Sequence, residues 1–462
     1  MSLYRNLSSV AAVGVIDIGF SLASNILFPH TVPKAEFAAY RIFLLYSGYA
    51  GILHFGLLDG LYLRAVGHDA NDVPAELVSR VRRGLWVLQC LASLAILPLL
   101  LRFGVPDAST GLPLVLVGTV VATNLLTFYT YLLQATSHFG LVARMVATPR
   151  VVGVVAAMAL IVLGVATATR LALCVLVPVV ASAALLAGSS RSMPWRSDAR
   201  GSQLGRVALL PVWRDGMALF LGNMGITVAL TAGTLVASLV LERQTFAEYA
   251  FAAGLVSLMF IGFEWLGVAA APFHAKLVRT GSASTEWERL LLALMWLSPT
   301  VYWGGLLVVR LYLPSYESSL ELLAWLAGSL PFFGIVRTRA ATVCRATGHQ
   351  DAFLRLGAAG CVVVGAAVAA GGIYGHSASW IAASWALAFA ALGSVGWLVV
   401  TRAYRLPAFR VDILLVASAV AAGGAFAVAH SLPSPAAGAA VYLALAVLGL
   451  MLGLRGLFLR RA

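Results

Sequence analysis

The chain has 462 residues, of which 61% are hydrophobic and 11% are charged, and its formal net charge is +13. A water-soluble fold of this length could not cover so much apolar surface, so the composition excludes a soluble domain and indicates a protein embedded in a membrane. No basic region with aromatic platforms lies outside the apolar segments, which excludes nucleic acid as a partner.

Fourteen apolar stretches follow one another along the chain. An α-helix needs about 20 residues to cross a hydrocarbon core about 30 Å thick. The expected fold class is therefore an all-α integral membrane protein with about 14 transmembrane helices. We predict these helices at 7–28, 37–63, 84–104, 111–136, 151–168, 171–188, 214–241, 246–272, 290–312, 318–342, 354–374, 378–401, 411–430 and 434–456.

Basic residues collect in every second gap between the predicted helices. Counted from a cytoplasmic N-terminus, the inner gaps hold 25 of the 31 Lys and Arg residues, the outer gaps hold 5, and Arg41 falls inside the second helix. Because Lys and Arg in short loops stay in the cytoplasm, we expect both termini to be cytoplasmic. The outer gaps are at most about ten residues long. They leave no room for an external reaction site, so we do not expect an enzyme.

Two sequence matches at nearly the same offset indicate an internal repeat. Ala35-Glu36-Phe37 aligns with Ala247-Glu248-Tyr249, and Gln134-Ala135-Thr136-Ser137-His138 aligns with Arg345-Ala346-Thr347-Gly348-His349. Each match joins positions on the same predicted side of the membrane, which indicates a six-helix unit duplicated in parallel orientation. Parallel repeats of this kind are typical of transporters, with the substrate site between the two halves.

The repeat predicts the domain organisation. We expect an N-terminal six-helix bundle at 1–188, a cytoplasmic linker at 189–213, a C-terminal six-helix bundle at 214–402, and two extra helices with a cytoplasmic tail at 403–462. The end of the linker, at 207–213, is apolar enough to lie along the inner interface before the seventh helix begins.

Ionisable and amide side chains inside the predicted helices are candidate functional groups, because a charge at the centre of a membrane helix costs at least about 2.5–3.5 kcal/mol. Arginine binds phosphate through a bidentate fork, and a buried carboxylate is able to exchange a proton or sodium ion. We therefore assign ion coupling to Asp17 and Glu264, substrate binding to Arg41, His54, Asn25, Asn223 and Arg337, and a gate or inner mouth to Asp59 and Arg64.

These side chains also have simpler explanations. Ser, Thr and Asn stripes often hydrogen-bond neighbouring helices. His54 could be a packing residue, Asp59 a helix cap or a partner of Arg64, and Arg41 a side chain that extends to the interface. The four cysteines lack zinc or CxxC spacing, and we predict neither metal nor cofactor.

Two motifs in the first 70 residues carry a family resemblance. Pro33-Lys34-Ala35-Glu36-Phe37-Ala38-Ala39-Tyr40 resembles the "P-x-E-F-G-x-Y" start of helix two in Wzx-type polysaccharide flippases, although Ala38 stands where the family usually has Gly. His54-Phe55-Gly56-Leu57-Leu58-Asp59-Gly60-Leu61-Tyr62-Leu63-Arg64 resembles the "F-G-x-x-D-G-x-x-x-R" close of that helix. These flippases are members of the multidrug/oligosaccharidyl-lipid/polysaccharide (MOP) exporter superfamily, whose fold is MATE-like.

The resemblance implies a cargo and a location. The cargo would be an oligosaccharide on undecaprenyl pyrophosphate, the repeat unit of O-antigen, capsule or exopolysaccharide, moved from the cytoplasmic to the periplasmic leaflet of a bacterial inner membrane. Membrane lipid, a glycan polymerase and glycosyltransferases would be further partners. Two alternatives remain open: a cation-coupled multidrug exporter of the same superfamily and a membrane polymerase or ligase of glycan assembly. Flippases of the peptidoglycan precursor carry several cavity arginines, whereas this chain has essentially Arg41, with Arg337 and Arg339 near the inner mouth.

Overall fold

The computed structural model confirms an all-α fold. It describes residues 18–19, 21–22, 24–65, 68–103, 111–136, 138–193, 209–280, 286–406 and 409–458. These residues are helical almost throughout and contain no β-strand. Asp17 and most of the first predicted helix lie outside the described residues.

Contacts divide the chain into two compact units. Of the described residues, unit one contains those up to 221 except 21–30, and unit two contains 21–30 and 222–458. Unit one holds α2 (Lys34–Gly48), a 3₁₀ turn (Ala50–His54), α3 (Leu57–Ala65), α4 (Ala75–Phe103), α5 (Gly111–Ala135), α6 (Phe139–Val162), α7 (Ala168–Arg191) and the start of α8 (Leu209–Val240).

Unit two holds most of α1 (24–31) and the remainder of α8. It continues with α9 (Arg243–Thr280), α10 (Glu286–Leu297), α11 (Val301–Tyr312), α12 (Ser319–Phe333), a π-helical turn (Gly334–Ala340), α13 (Ala341–Ala346), α14 (Gln350–Gly375), α15 (Ala378–Ala391), a second π-helical turn (Leu392–Gly396), α16 (Trp397–Ala403), α17 (Phe409–His430) and α18 (Pro435–Phe458).

Each of the thirteen predicted spans after the first corresponds to a helix or to a bent pair of helices. Among the described residues, 12 helices are long and apolar enough to cross a membrane, and a bent pair, Lys34–His54 with Leu57–Ala65, makes a thirteenth. The structure thus confirms the all-α membrane fold class. The six-plus-six-plus-two domain boundaries stay a prediction.

Several predicted boundaries differ from the structure, among them the start of α4 at Ala75 and the end of α9 at Thr280. The helix expected at 151–168 is Phe139–Val162, which begins before Arg144 and Arg150 and carries both charges in its first half. Residues 209–213, expected in an interfacial turn, are the first turn of the continuous helix α8. The helix expected at 37–63 is interrupted at Phe55–Gly56.

Each unit has its own apolar core. In unit one, α3, α4 and α5 pack around Leu58, Leu61, Val81 and Leu132, all 0% exposed. In unit two, α17 and α18 pack on α10, and the buried Tyr442 hydroxyl donates to the Trp296 carbonyl over 2.6 Å. The two C-terminal helices are therefore an integral part of unit two.

Candidate functional site

The break in the second membrane segment is the main polar feature of unit one. Phe55 and Gly56 have φ angles of +45° and +78°, and the helix axes on either side meet at 64°. Gly adopts a left-handed conformation readily, whereas a residue with a Cβ loses roughly 1–2 kcal/mol there. The "F-G" of the second motif is therefore the position where the helix turns.

Neighbouring side chains bond the backbone groups at the break. Asn124 of α5 donates from Nδ2 to the Ala50 carbonyl over 2.9 Å and to Gln89 Oε1 over 3.1 Å. Gln89 of α4 donates in turn to the Leu53 carbonyl over 3.0 Å. Broken membrane helices are stable only where such groups replace the lost hydrogen bonds. Neither amide was selected from the sequence, because an isolated Asn or Gln gives no periodic signal.

His54 and Asp59 lie on the two sides of the break and are both buried. The Gly56 N–H donates to His54 Nδ1 over 3.2 Å, and Asp59 Oδ2 lies 3.7 Å from the same nitrogen. The sequence placed His54 in the substrate site and Asp59 at a gate. The structure brings them together at the break.

The rest of the second motif joins α3 to the start of α8. A Cβ on Gly60 would overlap the Val212 carbonyl oxygen, and a Cβ on Gly216 would overlap the Gly56 carbonyl oxygen. Arg64 donates to Asp215 Oδ2 from Nε over 2.9 Å and from Nη2 over 2.6 Å. Arg64 is therefore paired with Asp215, a partner that the sequence did not predict.

The first motif forms the predicted outer end of the same segment. Glu36 accepts the Ala168 N–H over 2.6 Å and so caps the start of α7. A carboxylate at this end of a helix is stabilised by the helix dipole. Half-buried Arg41 lies over the Phe37 ring at 5.9 Å.

In unit two, the first π-helical turn brings two predicted site residues together. Arg337 donates from Nε to Glu264 Oε1 over 3.0 Å, and their side chains are 26% and 48% exposed. The Thr338 hydroxyl donates to the Phe263 carbonyl over 2.9 Å and holds α9 against the turn. Among the described residues, Glu264 is the hydrogen-bond partner of Arg337, so Nη1 and Nη2 have no protein acceptor. This fork is a candidate anion site.

A second arginine of the same turn is fully buried. Arg339 donates from Nη1 to Glu288 Oε1 over 3.0 Å and from Nε to Asp412 Oδ1 over 2.7 Å. Its guanidinium lies 5.2 Å from the centre of the Trp287 ring. The sequence grouped Arg339 with the arginines near the inner mouth. In the structure it is 1% exposed and joins α10 and α17 to the π-helical turn.

The predicted amide residues of helices one and seven lie in unit two. Asn25 is 1% exposed and donates to the Ser21 carbonyl over 2.6 Å. The Asn223 carbonyl accepts from the Thr227 hydroxyl over 2.9 Å, and the Thr227 carbonyl accepts from Thr231 over 2.8 Å. The side chains of Asn25, Thr227 and Thr231 therefore bond backbone carbonyls of their own helices.

The two aligned segments that end in His138 and His349 form similar turns. His138 Nδ1 lies 3.1 Å from Thr136 Oγ1, and His349 Nδ1 lies 3.0 Å from Thr347 Oγ1. Each threonine hydroxyl also donates to the carbonyl four residues earlier, and each histidine precedes a helix, α6 or α14. The aligned segments thus have the same local geometry. Among the described residues, no group of three or more His, Cys, Asp or Glu side chains could hold a metal.

The fold is similar to that of solved membrane transporters. An inward-facing MATE-family multidrug resistance transporter of the MOP superfamily is 14% identical to this chain, with a TM-score of 0.59. The match covers 89% of this chain and 99% of the transporter. The lipid II flippase MurJ in an inward closed conformation is 11% identical with a TM-score of 0.58, covering 98% of this chain and 99% of its own. A MATE in complex with MaL6 is 15% identical to this chain, with a TM-score of 0.56. The match covers 88% of this chain and 96% of the MATE chain. No protein-family model and no curated protein sequence matches the chain.

Proposed function

We propose that the protein is a flippase that moves an undecaprenyl-pyrophosphate-linked oligosaccharide from the cytoplasmic to the periplasmic leaflet by alternating access. The membrane would be the bacterial inner membrane, with both termini in the cytoplasm. The observation that carries the proposal is the half-buried pair of Arg337 and Glu264 on a π-helical turn. Such turns often mark functional sites in helices.

The chemistry of this pair suits an anionic headgroup. The two terminal nitrogens of Arg337 have no acceptor among the described residues, and a guanidinium binds phosphate oxygens through such a fork. In our proposal, Glu264 is the counter-ion of Arg337 when no cargo is bound and is displaced by the diphosphate. Glu264 and Asp17 remain our proposed coupling groups, and Arg41, Asn25 and Asn223 our proposed further cargo contacts.

The extent of the structural similarity favours a flippase over a drug exporter. The lipid II flippase covers 98% of this chain, whereas the two MATE structures cover 89% and 88%. Expressed in residues, this difference in coverage is close to the combined length of α17 and α18, which have 22 and 24 residues. The membrane potential would assist export of an anion by about 2.3 kcal/mol per charge per 100 mV.

The test is complementation of bacterial strains that lack their own O-antigen or exopolysaccharide flippase. We expect the wild-type chain to restore surface glycan, Arg337→Ala to abolish it, and Arg337→Lys to restore part of it, because lysine lacks the planar fork. Arg170→Ala is the matched control, because Arg170 is exposed at the start of α7. Failure of the wild-type chain in every such strain, with increased drug resistance on expression, would support the multidrug exporter instead. Full export by Arg337→Ala would remove Arg337 from the cargo site.

A further inference from the structure

The helix break depends on three side chains that bond backbone groups, and one of the three is titratable. Asn124 and Gln89 donate to the carbonyls of Ala50 and Leu53. His54 Nδ1 accepts the Gly56 N–H at the start of α3. The first N–H groups of a helix have no partner within the helix. The imidazole therefore serves as the acceptor for one of these groups.

This hydrogen bond defines the protonation state of His54 in the bent structure. A nitrogen that accepts an N–H carries no proton of its own, so the remaining ring proton is on Nε2 and the imidazole is neutral. The side chain is 7% exposed, and its ring lies against the Phe220 ring at a centroid distance of 5.5 Å. Water is therefore a poor substitute acceptor for the Gly56 N–H.

Protonation would reverse the role of Nδ1. A protonated Nδ1 is a donor, so it would lose the Gly56 N–H and be attracted to Asp59 Oδ2, which is 3.7 Å away. The helices packed against the break are α4, α5 and α8, and they present Gln89, Asn124 and Phe220. Among the described residues, Asp59 is the charged group within 4.0 Å of the imidazole nitrogens.

We propose that His54 is a proton-binding site that controls the geometry of the break at Phe55–Gly56. Proton uptake on Nδ1 breaks the Gly56 N–H···Nδ1 bond and moves the ring toward Asp59, which releases the first turn of α3. Because α3 also holds Arg64 against Asp215, the release is transmitted to the start of α8. The link to cargo movement rests on the proposed flippase function. The structural switch does not.

Spin labels on the two sides of the break test the switch directly. In a background with all four cysteines replaced, Ala35→Cys and Leu63→Cys place one label on α2 and one on α3. If the released α3 comes into line with the helix before the break, the distance between the two labels increases by about 4 Å, at a rise of about 1.5 Å per residue. We expect pulsed EPR of the wild-type protein to show such a change between about pH 8 and about pH 3.5.

Two variants distinguish His54 from other titrating groups. His54→Gln keeps an acceptor for the Gly56 N–H but does not titrate, so its distance should be independent of pH. If this variant does not fold, Asp59→Asn is the second test, because it removes the attraction for a protonated ring and should reduce the shift. His68→Gln, in the connection after α3, is the matched control and should behave as wild type. A pH-independent wild-type distance, or a full shift in His54→Gln, would overturn the proposal.

Transport measured in proteoliposomes tests the functional consequence. Wild-type flipping of a fluorescent undecaprenyl-diphosphate glycolipid should change at least about threefold over the same pH interval, and His54→Gln should lose this dependence. If wild-type protein flips no such lipid, the proposed function fails while the EPR result still decides the switch. If flipping is normal and equally pH-dependent in His54→Gln, the switch fails and the flippase function stands.

Discussion

The Arg339 guanidinium donates from Nε to Asp412 Oδ1 over 2.7 Å, and this bond attaches α17 to the π-helical turn of unit two. Arg339 is 1% exposed and Asp412 is 0% exposed. Arg337, two residues away on the same turn, has a partner that is 48% exposed. The two arginines of one turn therefore differ in environment: Arg339 holds helices together in the interior, and Arg337 forms a partly exposed pair with Glu264.

This difference predicts that two alanine substitutions lower the stability by very different amounts. Arg339→Ala leaves Asp412 and Glu288 without their buried counter-ion, and loss of one partner of such a pair costs about 3–5 kcal/mol. Arg337→Ala removes a partly exposed pair worth about 0–1 kcal/mol. Thermal unfolding in detergent should therefore show a large decrease in Tm for Arg339→Ala and a small one for Arg337→Ala. Equal decreases in Tm would contradict the assignment.

The contact of α3 with α8 predicts that Gly60 and Gly216 do not tolerate a side chain. Their added Cβ atoms would overlap the carbonyl oxygens of Val212 and Gly56. The helices would have to separate, and overpacking of this kind typically costs about 1–3 kcal/mol. We expect Gly60→Ala and Gly216→Ala to lower the yield of monodisperse protein and its Tm. Gly48→Ala is the control, because its Cβ would meet no atom within 4 Å.

The amide at the break predicts a stability effect without any change of charge. Asn124→Leu removes the donor to the Ala50 carbonyl and to Gln89. An unsatisfied buried polar group costs about 1–3 kcal/mol, so the Tm should fall. Thr127→Val on the same helix is the comparison, since among the described residues the Thr127 hydroxyl bonds the Thr123 carbonyl of its own helix. A Tm change no larger than that of Thr127→Val would argue against a role for Asn124 at the break.

The cap on α7 predicts a graded response at Glu36. Glu36→Gln keeps an acceptor for the Ala168 N–H but removes the charge, which is worth about 0.3–1 kcal/mol at a helix N-terminus. Glu36→Ala removes both and should be the less stable variant. Chemical denaturation of the purified protein measures the order. The same stability for both variants would mean that Glu36 does not cap the helix.

Much of the fold follows from the sequence, because hydrocarbon thickness determines helix length and arginine marks the helix ends. Predicted spans such as 111–136 and 378–401 agree with Gly111–Ala135 and Ala378–Ala403 to within two residues. The error at α6 arose because Arg144 and Arg150 were taken to lie outside the helix. A helix continues into the headgroup region, where these charges are stable.

The candidate site was predicted only in part. Glu264 and Arg337 were both selected, since each is an ionisable group within an apolar stretch. Their contact was not predicted, because 73 residues separate them in the chain. The buried partners of Arg339 and the amides at the break were missed for the same reason: hydrogen-bond partners across helices leave no periodic signal.

The Thr–His turns at the ends of α5 and α13 have matching hydrogen bonds, whereas the polar groups elsewhere in the two units differ in charge. Around the break in unit one, the backbone is held by uncharged side chains that exchange hydrogen bonds. Around the π-helical turn of unit two, the helices are held by full charges. Rearrangement of the amide hydrogen bonds at the break would therefore separate no ion pair, whereas movement at the π-helical turn would separate Arg339 from Glu288 and Asp412.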